Sequence, residues 1–120
     1  MIAVIFEVWP ASGRKDDYLS IAASLRDDLT RIDGFISVER FQSLTDPNKL
    51  LSLSFWRDDE AVKAWRTQSR HRDSQSKGRA GIFADYRLHV ASVLRDYGLA
   101  DRAAVPADSK ALHDPLSASS

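Results

Sequence analysis

The sequence predicts an α+β domain of order βαββαβ, with four antiparallel strands and both helices on one face of the sheet. Three observations predict it. Ile2, Val4, Phe6 and Val8 alternate at period two, and Leu51, Leu53 and Phe55 do so again. Tyr18, Ala22, Leu25, Leu29 and Ile32 step by threes and fours between two such strands, as a helix buried along one stripe requires. At Asp58 the period changes from two to helical within one residue, so a strand feeds directly into a second helix. Two split βαβ units of this kind make the ferredoxin-like arrangement.

The first strand is apolar on both faces, because Ala3, Ile5 and Trp9 fill the alternate positions, and it belongs in the middle of the sheet. Pro10 to Gly13 end it. The first helix runs from about Arg14 to Ile32 and stops at Asp33-Gly34, with Gly34 suited to a left-handed C′ position. Phe35 to Gln42 is the second strand, with a bulge expected between Val38 and Phe41 where the pattern changes. Thr45-Asp46-Pro47-Asn48 is a turn, and Lys49 to Trp56 returns as the antiparallel third strand. Asp58 is a good N-cap, and Asp59 and Glu60 place carboxylates at the positive end of the dipole. The second helix then covers about Asp59 to Gln68, a polar short helix follows over Ser69 to Arg79, and Ile82 to Arg95 forms the last strand. Residues 1–98 are thus one domain. Residues 99–120, rich in Ala, Asp, Ser and Pro without periodicity, read as a tail able to serve as an arm around a partner.

With 120 residues, the chain has the length of one domain. Lys+Arg and Asp+Glu both number 17, so no global field draws it to nucleic acid or to an acidic membrane. Cysteine is absent, which removes disulfides and thiolate chemistry and fits a cytoplasmic location. The apolar start meets Glu7 too early for a signal peptide, and no apolar run is long enough to span a bilayer. His71, His89 and His113 lack metal-ligand spacing, so no metal is expected. His71-Arg72-Asp73 mimics a kinase loop in a chain too short for a kinase, and no Gly-x-Ser-x-Gly is present. The arginines from Arg66 to Arg79 read as a solvated surface.

With both helices on one side, the other sheet face is left bare while carrying Ala3, Ile5 and Trp9 of the first strand and Phe83, Ala91 and Val93 of the last. An exposed apolar face of that size predicts a second copy packed sheet to sheet, a two-fold homodimer. On the helix side, the Trp65 indole, His71 beyond it and nearby arginines suggest a pocket for a flat organic ligand.

Gly34-Phe35-Ile36-Ser37-Val38, the run Phe55-Trp56-Arg57-Asp58-Asp59-Glu60-Ala61 with Trp65, then His71, Gly78-Arg79, Phe83, Tyr86 and Val90 together resemble the antibiotic biosynthesis monooxygenase branch of the dimeric α/β-barrel superfamily, over about residues 1–97. The resemblance implies a small homodimer that uses dioxygen to oxidise an electron-rich aromatic such as a quinol or anthrone, without a tightly bound cofactor. Trp65 matches a tryptophan that recurs in the pockets of such relatives, and His71 stands where some carry a hydrogen-bonding tyrosine. Ala61 departs from an asparagine found one turn before that tryptophan. Haem-degrading relatives carry an asparagine where Glu7 stands and a ligating histidine where Gln75 stands, so a haem-handling role is disfavoured.

An oxygenase of this kind binds the phenol or enol, favours its anion and excludes water while dioxygen reacts. His71 is the candidate base or hydrogen-bond partner, Trp65 the stacking wall, and Arg79 or Arg87 the cation that steadies the anion. Trp56, Phe83, Arg87 and Glu7 complete the expected substrate contacts, although packing is the ordinary role of a tryptophan at Trp56. A non-catalytic dimeric module that binds a small hydrophobic molecule is the alternative.

Overall fold

The computed structural model describes residues 1–75 and 81–108, with side chains apart from those of residues 69–75. The elements are β1 (Ile2–Pro10), α1 (Lys15–Thr30), β2 (Phe35–Gln42), β3 (Leu50–Trp56), α2 (Asp59–Gln75) and β4 (Phe83–Ser92). The four strands lie in the order β2-β3-β1-β4, every pair antiparallel, so β1 is central as its two apolar faces predict. The fold is the ferredoxin-like α+β arrangement.

Register assigns each strand residue a face. Ile2, Val4, Phe6 and Val8 share the helix side with Trp56, Ser54, Ser52 and Leu50 of β3 and with Phe35, Val38, Arg40 and Gln42 of β2. On β4 the same side carries Tyr86, Leu88, Val90 and Ser92. The core beneath the helices is split. Val8, Tyr18, Leu50 and Ile82 form one buried cluster, with Phe6 and Ile21 against it. Leu29, Trp56, Ala61 and Val62 form the other, joined by Ile2, Val4, Ile32, Phe35, Val38 and Trp65.

Several boundaries differ from the sequence reading. The second helix is unbroken to Gln75, where a short separate helix was expected from Ser69. Polar side chains do not by themselves break a helix, and no Gly or Pro interrupts the run to Gln75. The bulge lies at Ile36, between Phe35 and Ser37, and not beyond Val38. The last strand is Phe83–Ser92, shorter at both ends than Ile82 to Arg95. Phe83, expected on the bare face, is on the helix side: a register shift opposite Trp9 and Pro10 turns it there, and its ring meets Phe6 and Tyr18. The part of the expected tail beyond Asp108, like Arg79, lies outside the described residues.

A compact chain of this length has a radius of gyration of about 14 Å, and here it is 17.9 Å. The excess agrees with a β4 exposed along all of its 10 residues and with Leu94 and Leu99 more than four-fifths exposed after it.

The corner where α1 ends and α2 begins is closed by polar contacts. The Asp58 side chain accepts from the Ala61 amide at 3.0 Å, the N-cap predicted from sequence. Arg57 donates to both oxygens of Asp33 at 3.1 Å, and its Nε reaches Asp58 at 3.0 Å. Hydrogen bonds from Arg57 hold both carboxyls below their ordinary value of 3.8. A carboxyl with a depressed folded-state pKa stabilises the fold above its ordinary pKa, and that contribution disappears as pH falls through the lowered value. Melting temperature is therefore expected to decline below about pH 4. Asp58→Asn, which keeps a capping oxygen but loses the charge, should melt lower than wild type at neutral pH and converge with it in acid. Parallel melting curves for the two proteins at all pH values would contradict this.

Candidate functional site

The helix side of the sheet holds the candidate site. Trp65, half-buried on α2, packs onto the cluster that contains Ile2, Val4 and Trp56. Val4 and Phe6 pair across β1 with Val90 and Leu88, so the indole's cluster borders an apolar strip on β4. That strip is open: Tyr86, Leu88 and Val90 are 57%, 53% and 50% exposed, although they face the side on which the helices lie. Aromatic rings wall one end. Phe6 lies 5.8 Å from Phe83 and 5.6 Å from Tyr86, and Tyr18 lies 5.8 Å from Phe83. An aromatic-lined, half-open strip beside an indole suits a small flat ligand.

Two polar groups that were not among the predicted site residues sit on this side. Tyr18 is buried, and burial pushes its phenol up while the Arg40 guanidinium acts in the opposite direction. Arg40 is opposite Ser52 on β2, and its Nε is buried without a hydrogen-bond partner among the described residues. Period two counted from Val38 places Arg40 inward, and that signal was available in the sequence.

The sheet divides the predicted site residues. Trp65, Trp56 and Phe83 are on the helix side. Trp56 is 1% exposed and donates from Nε1 to Ser54 Oγ at 2.9 Å, so it fills the core and offers no surface to a ligand in this chain. Glu7 and Arg87 are cross-strand neighbours on the opposite face, so they cannot share a pocket with Trp65 within one subunit. There Glu7 accepts from Lys49 at 2.8 Å and meets His89 Nε2 at 3.0 Å, and these two partners hold its carboxyl below the ordinary range. His71 lies within α2, and its side chain is outside the described residues. Because α2 is unbroken, position 71 is about 120° around the helix from position 65, whereas positions 68, 69 and 72 share the face of Trp65.

The open face carries Ala3, Ile5, Leu51, Leu53 and Phe55 in register, with Phe41 at 41% exposure. A cleft of about 420 Å³ is lined by Arg26 of α1, Ser37, Val38, Glu39 and Arg40 of the edge strand β2, and Leu53 and Phe55 of β3. No cluster of His, Cys, Asp or Glu able to hold a metal occurs among the described residues. No helix among them is long and apolar enough to cross a membrane.

A four-stranded antiparallel sheet of order βαββαβ with a core split beneath its two helices defines a ferredoxin-like α+β domain. The sequence profile of the antibiotic biosynthesis monooxygenase family matches residues 1–77, and the chain belongs to that family. It is 50% identical over 93 residues to a protein of Pyricularia oryzae named jasmonate monooxygenase ABM. That alignment covers 78% of this chain and 43% of the relative, so the chain matches less than half of the longer protein. Rv0793 of Mycobacterium tuberculosis superposes with a TM-score of 0.68 at 14% identity, over 81% of this chain and 98% of that one. A variant of SnoaB, a cofactor-independent oxygenase from Streptomyces nogalater, superposes at 0.66 with 13% identity, over 79% and 94%. At these identities the two structures share the fold.

Proposed function

We infer that this chain is a homodimeric monooxygenase domain. It acts without a tightly bound cofactor on a small, largely apolar cyclic substrate, a quinol, an anthrone or a similar electron-rich aromatic. Family membership supports the reaction class. The observation that carries the substrate reading is the half-exposed strip of Tyr86, Leu88 and Val90, walled by Phe6 and Phe83 and bordered by the Trp65 cluster. The substrate itself supplies the electrons. In an anthrone, the methylene next to the rings loses a proton, the carbanion reduces dioxygen, and the methylene becomes a carbonyl with release of one water. The protein's part is to hold the ring system, keep water out and steady the anion. Trp65 supplies the wall, and on the same side the Arg40 guanidinium with the Tyr18 hydroxyl can balance negative charge. His71 stays the candidate base and Arg79 the candidate anion-steadying cation, roles that rest on the chemistry of imidazole and guanidinium. A second copy covers the apolar open face, bringing its own Glu7, Lys49 and His89 to the shared surface.

A second reading takes jasmonate, a cyclopentanone carrying a carboxylate, as the substrate type. The 50% identity with the Pyricularia oryzae protein favours it. Oxygen uptake with anthrones, hydroquinones and jasmonate, each analysed for product, separates the two. The expected result is uptake with at least one of them, and Trp65→Phe should lower kcat/KM by about tenfold, with Trp65→Ala lowering it further. Uptake at the buffer rate with every compound would leave a non-catalytic ligand-binding module. Uptake unchanged in both Trp65 variants would remove the indole from the site.

A further inference from the structure

The two halves of the core leave a seam on the helix side of the sheet. Register sets Arg40, Ser52, Phe6 and Leu88 opposite one another across β2, β3, β1 and β4, all on that one side. The adjoining row on one hand runs through Leu50 and Val8, in the cluster of Tyr18. On the other hand it runs through Val38 and Val4, in the cluster of Trp56 and Trp65. Arg40, Ser52 and Phe6 are half-buried and Leu88 is exposed, so neither cluster closes over the row between them.

This seam is polar at one end and apolar at the other. Three strand spacings, about 14 Å, separate the backbones at its two ends. At the β2 end the Arg40 guanidinium lies beside the Tyr18 hydroxyl, and its Nε is buried without an acceptor among the described residues. A buried guanidinium N–H left unpaired is a cost to the fold that a ligand oxygen would relieve. Glu39, next in sequence, belongs to the opposite face by register. At the β4 end, Phe6, Tyr86 and Leu88 offer carbon surface. Arginine is charged at every working pH. It therefore matches a group that is charged before turnover better than an anion that exists only in passing.

From this polarity we propose that the substrate beside Trp65 is an elongated monoanion, its carboxylate held at the β2 end by Arg40 and the Tyr18 hydroxyl and its ring body lying over Phe6 and Leu88. The proposal rests on the oxygenase reading for the identity of the site, and adds which end of the substrate is read and by which residues. The planar fork of arginine matches the two oxygens of a carboxylate. Fixing that end sets which part of the ring reaches the indole.

The test titrates the full chain, labelled with nitrogen-15, with 3-(2-naphthyl)propionate and with its methyl ester. The acid should bind saturably and shift the Trp65 indole N–H together with the amides of residues 40 and 52. The ester, which keeps the ring but lacks the charge, should bind at least about tenfold more weakly. Arg40→Gln should bring the acid down to the affinity of the ester. Tyr18→Phe, which keeps the ring in the core, should weaken the acid by about threefold and leave the ester unchanged; it decides the matter if Arg40→Gln does not fold. Equal affinity for acid and ester, an acid-to-ester ratio unchanged in the folded variants, or shifts confined to the open face would each overturn the proposal. Oxygen uptake distinguishes its failure from that of the oxygenase reading. Acid bound in the seam with uptake at the buffer rate supports the anchor and removes the oxygenase. Turnover of a neutral anthrone, with acid and ester bound equally, does the reverse.

Discussion

Trp56→Ala is expected to lower the unfolding free energy by about 3–5 kcal/mol, the range for emptying a large aromatic site in a packed core. Trp56 is 1% exposed at the end of β3, in one cluster with Leu29, Ala61 and Val62, and its ring meets Phe35 edge-on at 5.2 Å. It joins β3, the end of α1 and the first turn of α2, so little nearby can collapse into the space. The loss has a polar part as well. Ser54, at 8% exposure, accepts the indole N–H at 2.9 Å, and truncation leaves that oxygen buried with no donor. Trp56→Phe should recover most of the packing but not the hydrogen bond. Urea unfolding of the three proteins separates the two parts. A loss below about 1 kcal/mol in Trp56→Ala would mean that the residue is not the keystone of this cluster.

Gly34→Ala is expected to cost about 2–4 kcal/mol, from two independent causes. Gly34 has φ of +92°, where an L-residue is strained. A Cβ there would also lie 2.8 Å from the Ala61 Cβ, which is fixed to the backbone of α2 and cannot swing away. The tight approach has its own reason: the Gly34 carbonyl accepts the Arg57 amide at 2.7 Å, tying the end of α1 to the start of α2. Combining Gly34→Ala with Ala61→Gly relieves the clash but not the strain. The pair should therefore be less destabilised than the sum of the two single changes, as equilibrium unfolding would read. Simple additivity would exclude the close approach as a cause.

Much of the fold was legible because burial imposes a period. The alternation in β1 predicted its central place, Phe35–Gln42 was delimited residue by residue, and Asp58 announced both the end of β3 and the cap of α2. The misreadings fall where polar residues occupy inward or helical positions. Arg40 breaks the apolar pattern of β2 although its register puts it on the helix side, which moved the expected bulge from Ile36 to beyond Val38. The polar stretch after Gln68 suggested a break where α2 continues.

Of the site, the sequence marked Trp65 on the helix side but put Phe83 on the bare face, and it joined to them Glu7 and Arg87, which strand register places on the other face from Trp65. Spacing along one strand tells which residues share a side. It does not tell which side of one strand matches which side of the next.

Local order was settled by the chain itself: element identity, the central strand, the cap at Asp58 and the glycine at Gly34 all follow from short-range sterics and solvent preference. Tertiary structure alone decided which side chains meet, including the Glu7 cluster with Lys49 and His89, the Arg40 guanidinium beside Tyr18, and the cleft at the β2 edge. Those depend on cross-strand register and on how helices seat over the sheet, and both are fixed by contacts between residues far apart in sequence.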